Sequence, residues 1–280
     1  MKSLRSMVLW SASLTVAALL LWRFIVVSEQ SERSVHWAAN PTLNREPDKA
    51  VYLRQDEEIE RLVFQLTNRE RRRRGLSSLE REETLAEISR RHSSDMLDRG
   101  YFDHVSPEGR SAQQRIAARH RRLIGLVGEN IWSGSGYDTS DREKLARAIV
   151  GDWLDSPGHR ENILRPDYTH LGVGIVVAGR DLLATQNFAM VRAYLKEALP
   201  ERVRRDAPLD LRVTPYGEMA SPAELFTLWS GDQQREETEP LPVAGARVRA
   251  RPGTYQLRLY FPEASTGSYT IYFGPRIEVE

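Results

Sequence analysis

The 280-residue chain contains no cysteine. That excludes disulfide staples, thiolate-ligated zinc and thiol nucleophiles, whichever compartment the protein occupies. Neither sign of charge is in surplus: 40 Lys and Arg face 39 Asp and Glu, a formal net charge of +1 at pH 7. Nothing in that balance draws the chain toward nucleic acid or an anionic surface. Several sequence words are also missing. There is no His-Glu-x-x-His, no Walker loop and no EF-hand loop. Gly172-x-Gly174 and Gly134-x-Gly136 lack a third glycine, with Val177 and Thr139 in its place, so the dinucleotide fingerprint fails twice. Arg119-His120-Arg121-Arg122 is basic but has no interleaved aromatics, and no nucleic-acid partner is expected.

The 40% hydrophobic and 28% charged composition is that of a globular chain rather than a disordered one. Residues 7–27 are apolar or small at nearly every position and follow Lys2 and Arg5. That length suits one membrane crossing, and the basic residues before it predict a cytoplasmic N-terminus. Arg23 lies near the far end, where it can snorkel to the headgroups. The rival reading is a cleavable signal that would leave the protein secreted. No small-x-small site follows the core, and Phe24-Ile25-Val26-Val27 extends it, which favours an uncleaved anchor. Either reading puts the remainder outside the cytoplasm, periplasmic or extracellular. Residues 28–55 are polar, contain Asn40-Pro41 and Pro47-Asp48, and read as a tether.

A main domain is expected over residues 56–194. Its first helix opens at Asp56, places Ile59, Leu62, Val63 and Leu66 on one face, and ends before Gly75. The arginines at 71–74 then read as a solvated helix end suited to the dipole. A second helix over 83–99 carries Leu85, Ile88, His92 and Met96 at helical spacing, which favours His92 as a core histidine over a direct site residue, with Gly100 as the stop. Residues 111–122 and 141–154 are further helices. The period then changes to strands at 171–177 and 181–190, joined at Gly179. Helices followed by an antiparallel hairpin predict an α+β layered domain. Residues 195–208 read as a linker. Residues 209–280 alternate apolar with polar between turn residues, predicting a small antiparallel all-β sandwich.

Three separated segments carry the chemistry: Tyr101-Phe102-Asp103-His104, Gly128-Glu129-Asn130-Ile131 and Ser156-Pro157-Gly158-His159. Two neutral imidazoles and one carboxylate, His104, His159 and Glu129, can hold a divalent metal such as zinc with an open position. Without metal, Glu129 can serve as a base with a histidine as its proton partner. Each histidine also has an ordinary structural role open to it: His104 at the turn of Ser106-Pro107, His159 on a loop carbonyl.

These words occur in a telling order. Asn68-Arg69, His92-Ser93-x-Asp95-Met96, Tyr101-Phe102-x-His104-x-Ser106-Pro107-x-Gly109, Gly128-Glu129-Asn130-Ile131, Trp153-Leu154-x-Ser156-Pro157-Gly158-His159-Arg160-x-Asn162-Ile163-Leu164, Tyr168-Thr169 and Gly172-Val173-Gly174 resemble a bacterial member of the CAP superfamily. That superfamily joins cysteine-rich secretory, antigen 5 and pathogenesis-related proteins and is also called SCP-like. The resemblance implies a CAP-like α-β-α sandwich whose central cleft holds two histidines and acidic residues, sometimes with a divalent metal. His104 and His159 match the two histidines and Glu129 the acid. Where eukaryotic relatives have a further acid after the tryptophan, this chain has Ser156, with Asp155 beside it. The implied function is a membrane-tethered cleft protein binding a small ligand, lipid or peptide of the envelope, with a protein or envelope partner for the β domain. The alternatives are a metal-assisted or acid/base hydrolase using Glu129 as base, and a structural protein with a vestigial cleft.

Overall fold

Capping chemistry sets where the helices begin. In this computed structural model, which describes residues 54–217, 222–231, 233, 235–263 and 267–280, Asp56 accepts the Ile59 N–H at 3.2 Å and opens α1 (Glu57–Arg73). Glu82 accepts the Leu85 N–H to open α2 (Glu83–Arg99), and left-handed Gly100 closes it. Ser111 and Gln114 form a reciprocal capping box at the start of α3 (Ala112–Arg119). This helix is shorter than the expected 111–122 because His120 turns extended and its Nδ1 accepts the Leu123 N–H at 3.1 Å. Asp141 caps α4 (Arg142–Asp155). Ser156 then redirects the chain, and Pro157 supplies a ready-made first turn for α5 (Pro157–Leu164). The expected membrane segment at 7–27 lies outside the described residues, as does nearly all of the tether; among the described residues no helix is long and apolar enough to cross a membrane.

The strands are β1 (Arg54–Gln55), β2 (Glu80–Arg81), β3 (Leu123–Ser135), β4 (His170–Ala178), β5 (Asp181–Leu195), β6 (Arg202–Val203), β7 (Val213–Pro215), β8 (Leu225–Ser230), β9 (Arg235–Glu236), β10 (Leu241–Pro242), β11 (Gly253–Pro262) and β12 (Tyr269–Val279). Their main path runs β1-β4-β5-β3-β12-β11-β8-β10. The expected hairpin is β4 with β5, turning at Gly179. β3, which the periodicity does not predict, pairs with β5 along its whole length.

Alternation along β4 assigns its two faces. Leu171, Val173, Ile175 and Val177 pack with Ile59, Val63, Ile149, Trp153 and Ile163 of α1, α4 and α5. The intervening Gly172 and Gly174 face α2. A Cβ on them would lie 2.2 Å from Ala86 N and 2.1 Å from Arg90 N. This Gly-x-Gly is therefore a close-packing device between strand and helix. Helices on both faces of the sheet give the CAP-like α+β layering.

The C-terminal strands do not form a free-standing sandwich. β12 joins β3 through the pair Phe273 and Gly125, so the sheet continues into β11, β8 and β10. Ile124, Ala193 and Leu195 share one apolar cluster with Phe226, Leu228, Leu257 and Leu259. Within this region residues 246–251 contribute a single bridge, between Arg247 and Pro208. Their buried Ala246, Val248 and Ala250 cover that same cluster instead.

Candidate functional site

Glu129 and Asn130 are neighbours on β3, so their side chains leave opposite faces of the sheet. Glu129 is 7% exposed. Its Oε1 accepts His104 Nδ1–H at 2.9 Å, and its Oε2 accepts Arg115 Nη2–H at 2.6 Å. Arg115 also donates from Nη1 to the His104 carbonyl at 2.7 Å. One guanidinium on α3 thus grips both the carboxylate and the backbone of the loop that carries His104. This charged pairing, made in a dry place, is the strong kind of hydrogen bond. His92 enters from α2. Its Nε2–H donates to the Asp103 carbonyl at 3.1 Å and lies 3.8 Å from Glu129 Oε1. Its Nδ1 is buried without a hydrogen-bond partner among the described residues.

The electrostatics follow from these contacts. Burial works to raise the Glu129 carboxyl. The His104 hydrogen bond and the charge of Arg115 outweigh it, and the net displacement is downward, so Glu129 stays ionised. Burial pushes the His92 imidazole down, opposed in part by Glu129. Burial also pushes His159 down, to about 4, with repulsion from His104 as the second cause. His159 is therefore neutral at pH 7.

On the opposite face, Asn130 ties α5 to the strand. Its Nδ2 donates to the His159 carbonyl at 3.1 Å and to Gln186 Oε1 at 3.3 Å. Asn162 on α5 returns the contact, donating to Asn130 Oδ1 at 2.9 Å and to the Glu129 carbonyl at 3.1 Å. Trp153 Nε1–H reaches the Ile131 carbonyl at 3.0 Å. His159 is thereby held next to β3 by its backbone while its ring stays in electrostatic reach of His104.

The structure joins His104 and Glu129 by a direct bond, and the His159 ring lies within electrostatic reach of His104. Asp155 is exposed at the end of α4, and Ser156 is the N-cap of α5 without a side-chain capping bond. Among the described residues no three His, Asp or Glu side chains are grouped to hold a metal together. Both Glu129 oxygens are engaged, Oε1 by His104 and Oε2 by Arg115. Sequence reasoning missed Arg115, which carries no motif. His92 is the core histidine it expected, 2% exposed with one ring nitrogen bonded, and it also lies beside Glu129. Sequence reasoning also missed the stitching role of Asn130 and Asn162, for which the Gly-Glu-Asn word was the available signal. A separate groove, lined by Leu62, Leu66, Arg69, Arg72 and Arg147, lies between α1 and α4.

Comparison with known proteins gives four findings. The family model described as the cysteine-rich secretory protein family (CAP) matches residues 64–188. The uncharacterized protein YkwD of Bacillus subtilis is 39% identical over 133 residues, 46% of this chain and 46% of that protein. The uncharacterized membrane protein YlbC of the same organism is 40% identical over 116 residues, 41% of this chain and 31% of that protein. The chain thus spans less than half the length of these curated relatives. Among solved structures, an extracellular protein containing an SCP domain from Bacillus anthracis is 34% identical, covering 48% of this chain and 41% of that one, with a TM-score of 0.40.

Proposed function

From the premise that this chain carries a bacterial CAP-superfamily domain over residues 64–188, we propose that its cleft at His104, Glu129 and His159 binds a ligand outside the cytoplasm. In this reading the two imidazoles are the seat of a divalent metal such as zinc. The observation that carries the proposal is the buried relay Arg115–Glu129–His104, with neutral His159 alongside. A carboxylate on Nδ1 fixes the tautomer and orientation of His104 and makes Nε2 the nitrogen that would meet a metal. His159 keeps its lone pair at neutral pH, as a metal ligand must. The donor set therefore fits two protein nitrogens, with Glu129 as the group that orients one of them. A bound zinc would supply Lewis-acid polarisation of a ligand oxygen.

A hydrolytic reading draws support from the same hydrogen bond between His104 and Glu129. Its proton acceptor would be His104, because Glu129 is held ionised by two donors and is a weak base. The extracytoplasmic placement draws support from the apolar segment at 7–27 and from the membrane designation in the printed name of YlbC. An exported form whose mature N-terminus lies beyond Val27 would refute an uncleaved anchor.

Calorimetric titration of zinc into the full chain tests the metal seat. The wild type is expected to give a binding isotherm that His104→Ala/His159→Ala abolishes, and Glu129→Gln is expected to weaken it about 10- to 100-fold. A wild type that gives no heat removes the metal from the proposal.

A further inference from the structure

β3, the strand that carries Glu129, is only partly paired on its outer side. β3 is paired with β5 on one side over residues 123–135, but among the described residues its other side is paired with β12 at a single position, Gly125 opposite Phe273. The outward-facing set can be read from the side chains that reach it. Asn162 takes the Glu129 carbonyl and Trp153 the Ile131 carbonyl. Because a residue's N–H and C=O leave a strand on the same side, Val127, Glu129 and Ile131 all direct their backbone away from β5. Two carbonyls of that edge are thus covered by side chains, a usual way of blunting an exposed edge.

The covering is incomplete at one place. Among the described residues, no acceptor meets the N–H of Val127, Glu129 or Ile131, and no donor meets the Val127 carbonyl. Glu129 and Ile131 are only 7% and 5% exposed. Buried backbone N–H groups without partners are rare, so their recurrence along this edge, beside the candidate site, is a feature to explain. The unpaired pattern reads donor and acceptor at Val127, then donor at Glu129. That is the complement of an extended polypeptide backbone, which offers a carbonyl and an N–H from one residue and a carbonyl from a second residue two positions away. It lies within the reach of His104 and Arg115, which bind the Glu129 side chain.

We infer that the ligand of the cleft is an extended peptide segment that adds antiparallel to the outer edge of β3, exchanging two backbone bonds with Val127 and giving a carbonyl to the Glu129 N–H. The inference rests on the cleft being the ligand site and names the ligand's class. Recognition by backbone makes binding tolerant of sequence, with the histidines beside one side chain of the peptide. The bonds are few, so the expected affinity is modest.

The test uses the full chain in detergent with a pool of synthetic octapeptides, and the same pool N-methylated at every second residue. Hydrogen exchange at the Val127 and Glu129 amides should slow at least tenfold with the plain pool and stay unchanged with the methylated pool. Equal protection by both pools, or by neither, overturns the inference. Val127→Pro removes the outward N–H while leaving the ladder to β5 whole, as edge positions permit. It should lose at least tenfold in affinity for the plain pool, and unaltered affinity would also overturn the inference. If that variant does not fold, the exchange comparison on the wild type stands by itself. Zinc titration of the same preparation separates the two ideas: retained zinc binding without amide protection sinks the peptide and leaves the metal seat standing.

Discussion

A buried carboxylate costs several kcal/mol unless its charge is met, and Glu129 meets it with donors from two separate elements, the loop at His104 and α3 at Arg115. The arrangement gives the site a predictable response to acid. His159 in the fold resists protonation until about pH 4, whereas an unfolded imidazole accepts a proton near 6.5. Between those values protons bind the unfolded chain preferentially. The stability contribution is therefore complete above pH 6.5 and is lost as pH falls toward 4. Glu129, displaced downward from 4.5, adds a loss of the same sign further into acid. Urea unfolding at stepped pH should show stability falling across pH 6.5 to 4, and His159→Asn should flatten that decline. A variant whose profile matches the wild type would show that His159 does not sense the buried setting.

At the scale of elements, the arginines at 71–74 divide in a way their sequence does not announce. Arg72, Arg73 and Arg74 remain at the surface, but Arg71 is fully buried at the end of α1. It donates to the carbonyls of Ser77, Ile163, Arg165 and Tyr168, binding the last turn of α1 to the end of α5. Arg71→Met would keep much of the volume and strand four acceptors, a loss of about 3 kcal/mol or more. Denaturant titration checks this, and a change below about 1 kcal/mol would show that water replaces the guanidinium at no cost. Helices α1, α2 and α4 were legible because caps and apolar spacing agree, as at Asp56, Glu83–Arg99 and Asp141. β3 was not, because Gly125, Gly128 and Gly134 interrupt it and Glu129-Asn130 places polar groups at buried positions. Its strand character comes from pairing with β5. α5 is hidden in the sequence for a related reason: Pro157-Gly158 looks like punctuation, and the contacts of Asn162 and Ile163 make a helix worth forming there. The residues of the candidate site were legible as words, but their mutual geometry depends on these two elements.

For the whole molecule, the question is whether the C-terminal third can be parted from the rest. Arg121, at the end of α3, donates to the carbonyls of Leu199, Pro200 and Arg276 at 2.6 to 2.8 Å. It thereby fastens the segment expected as a linker and the far end of β12 to the CAP region. Beneath it, Ile124, Ala193 and Leu195 of β3 and β5 are buried against Phe226, Leu257 and Leu259. Removing everything after Lys196 would bare that apolar surface and leave Leu126 and Met190, which also pack on it, against water. Each large side chain so exposed forfeits roughly 1.5–3 kcal/mol, and a handful of them equals the net stability of an ordinary domain. The truncated chain is therefore expected to aggregate or to lack a cooperative transition, and the intact chain to unfold in one calorimetric step. Two well-separated transitions in the intact chain, or a soluble 1–196 fragment melting cooperatively at the same temperature, would show that the two parts are independent. The outcome also bears on the cleft, because β12 meets β3 two residues before Val127. A C-terminal region fixed there sets one end of the open edge, and its removal would lengthen that edge into a liability for aggregation.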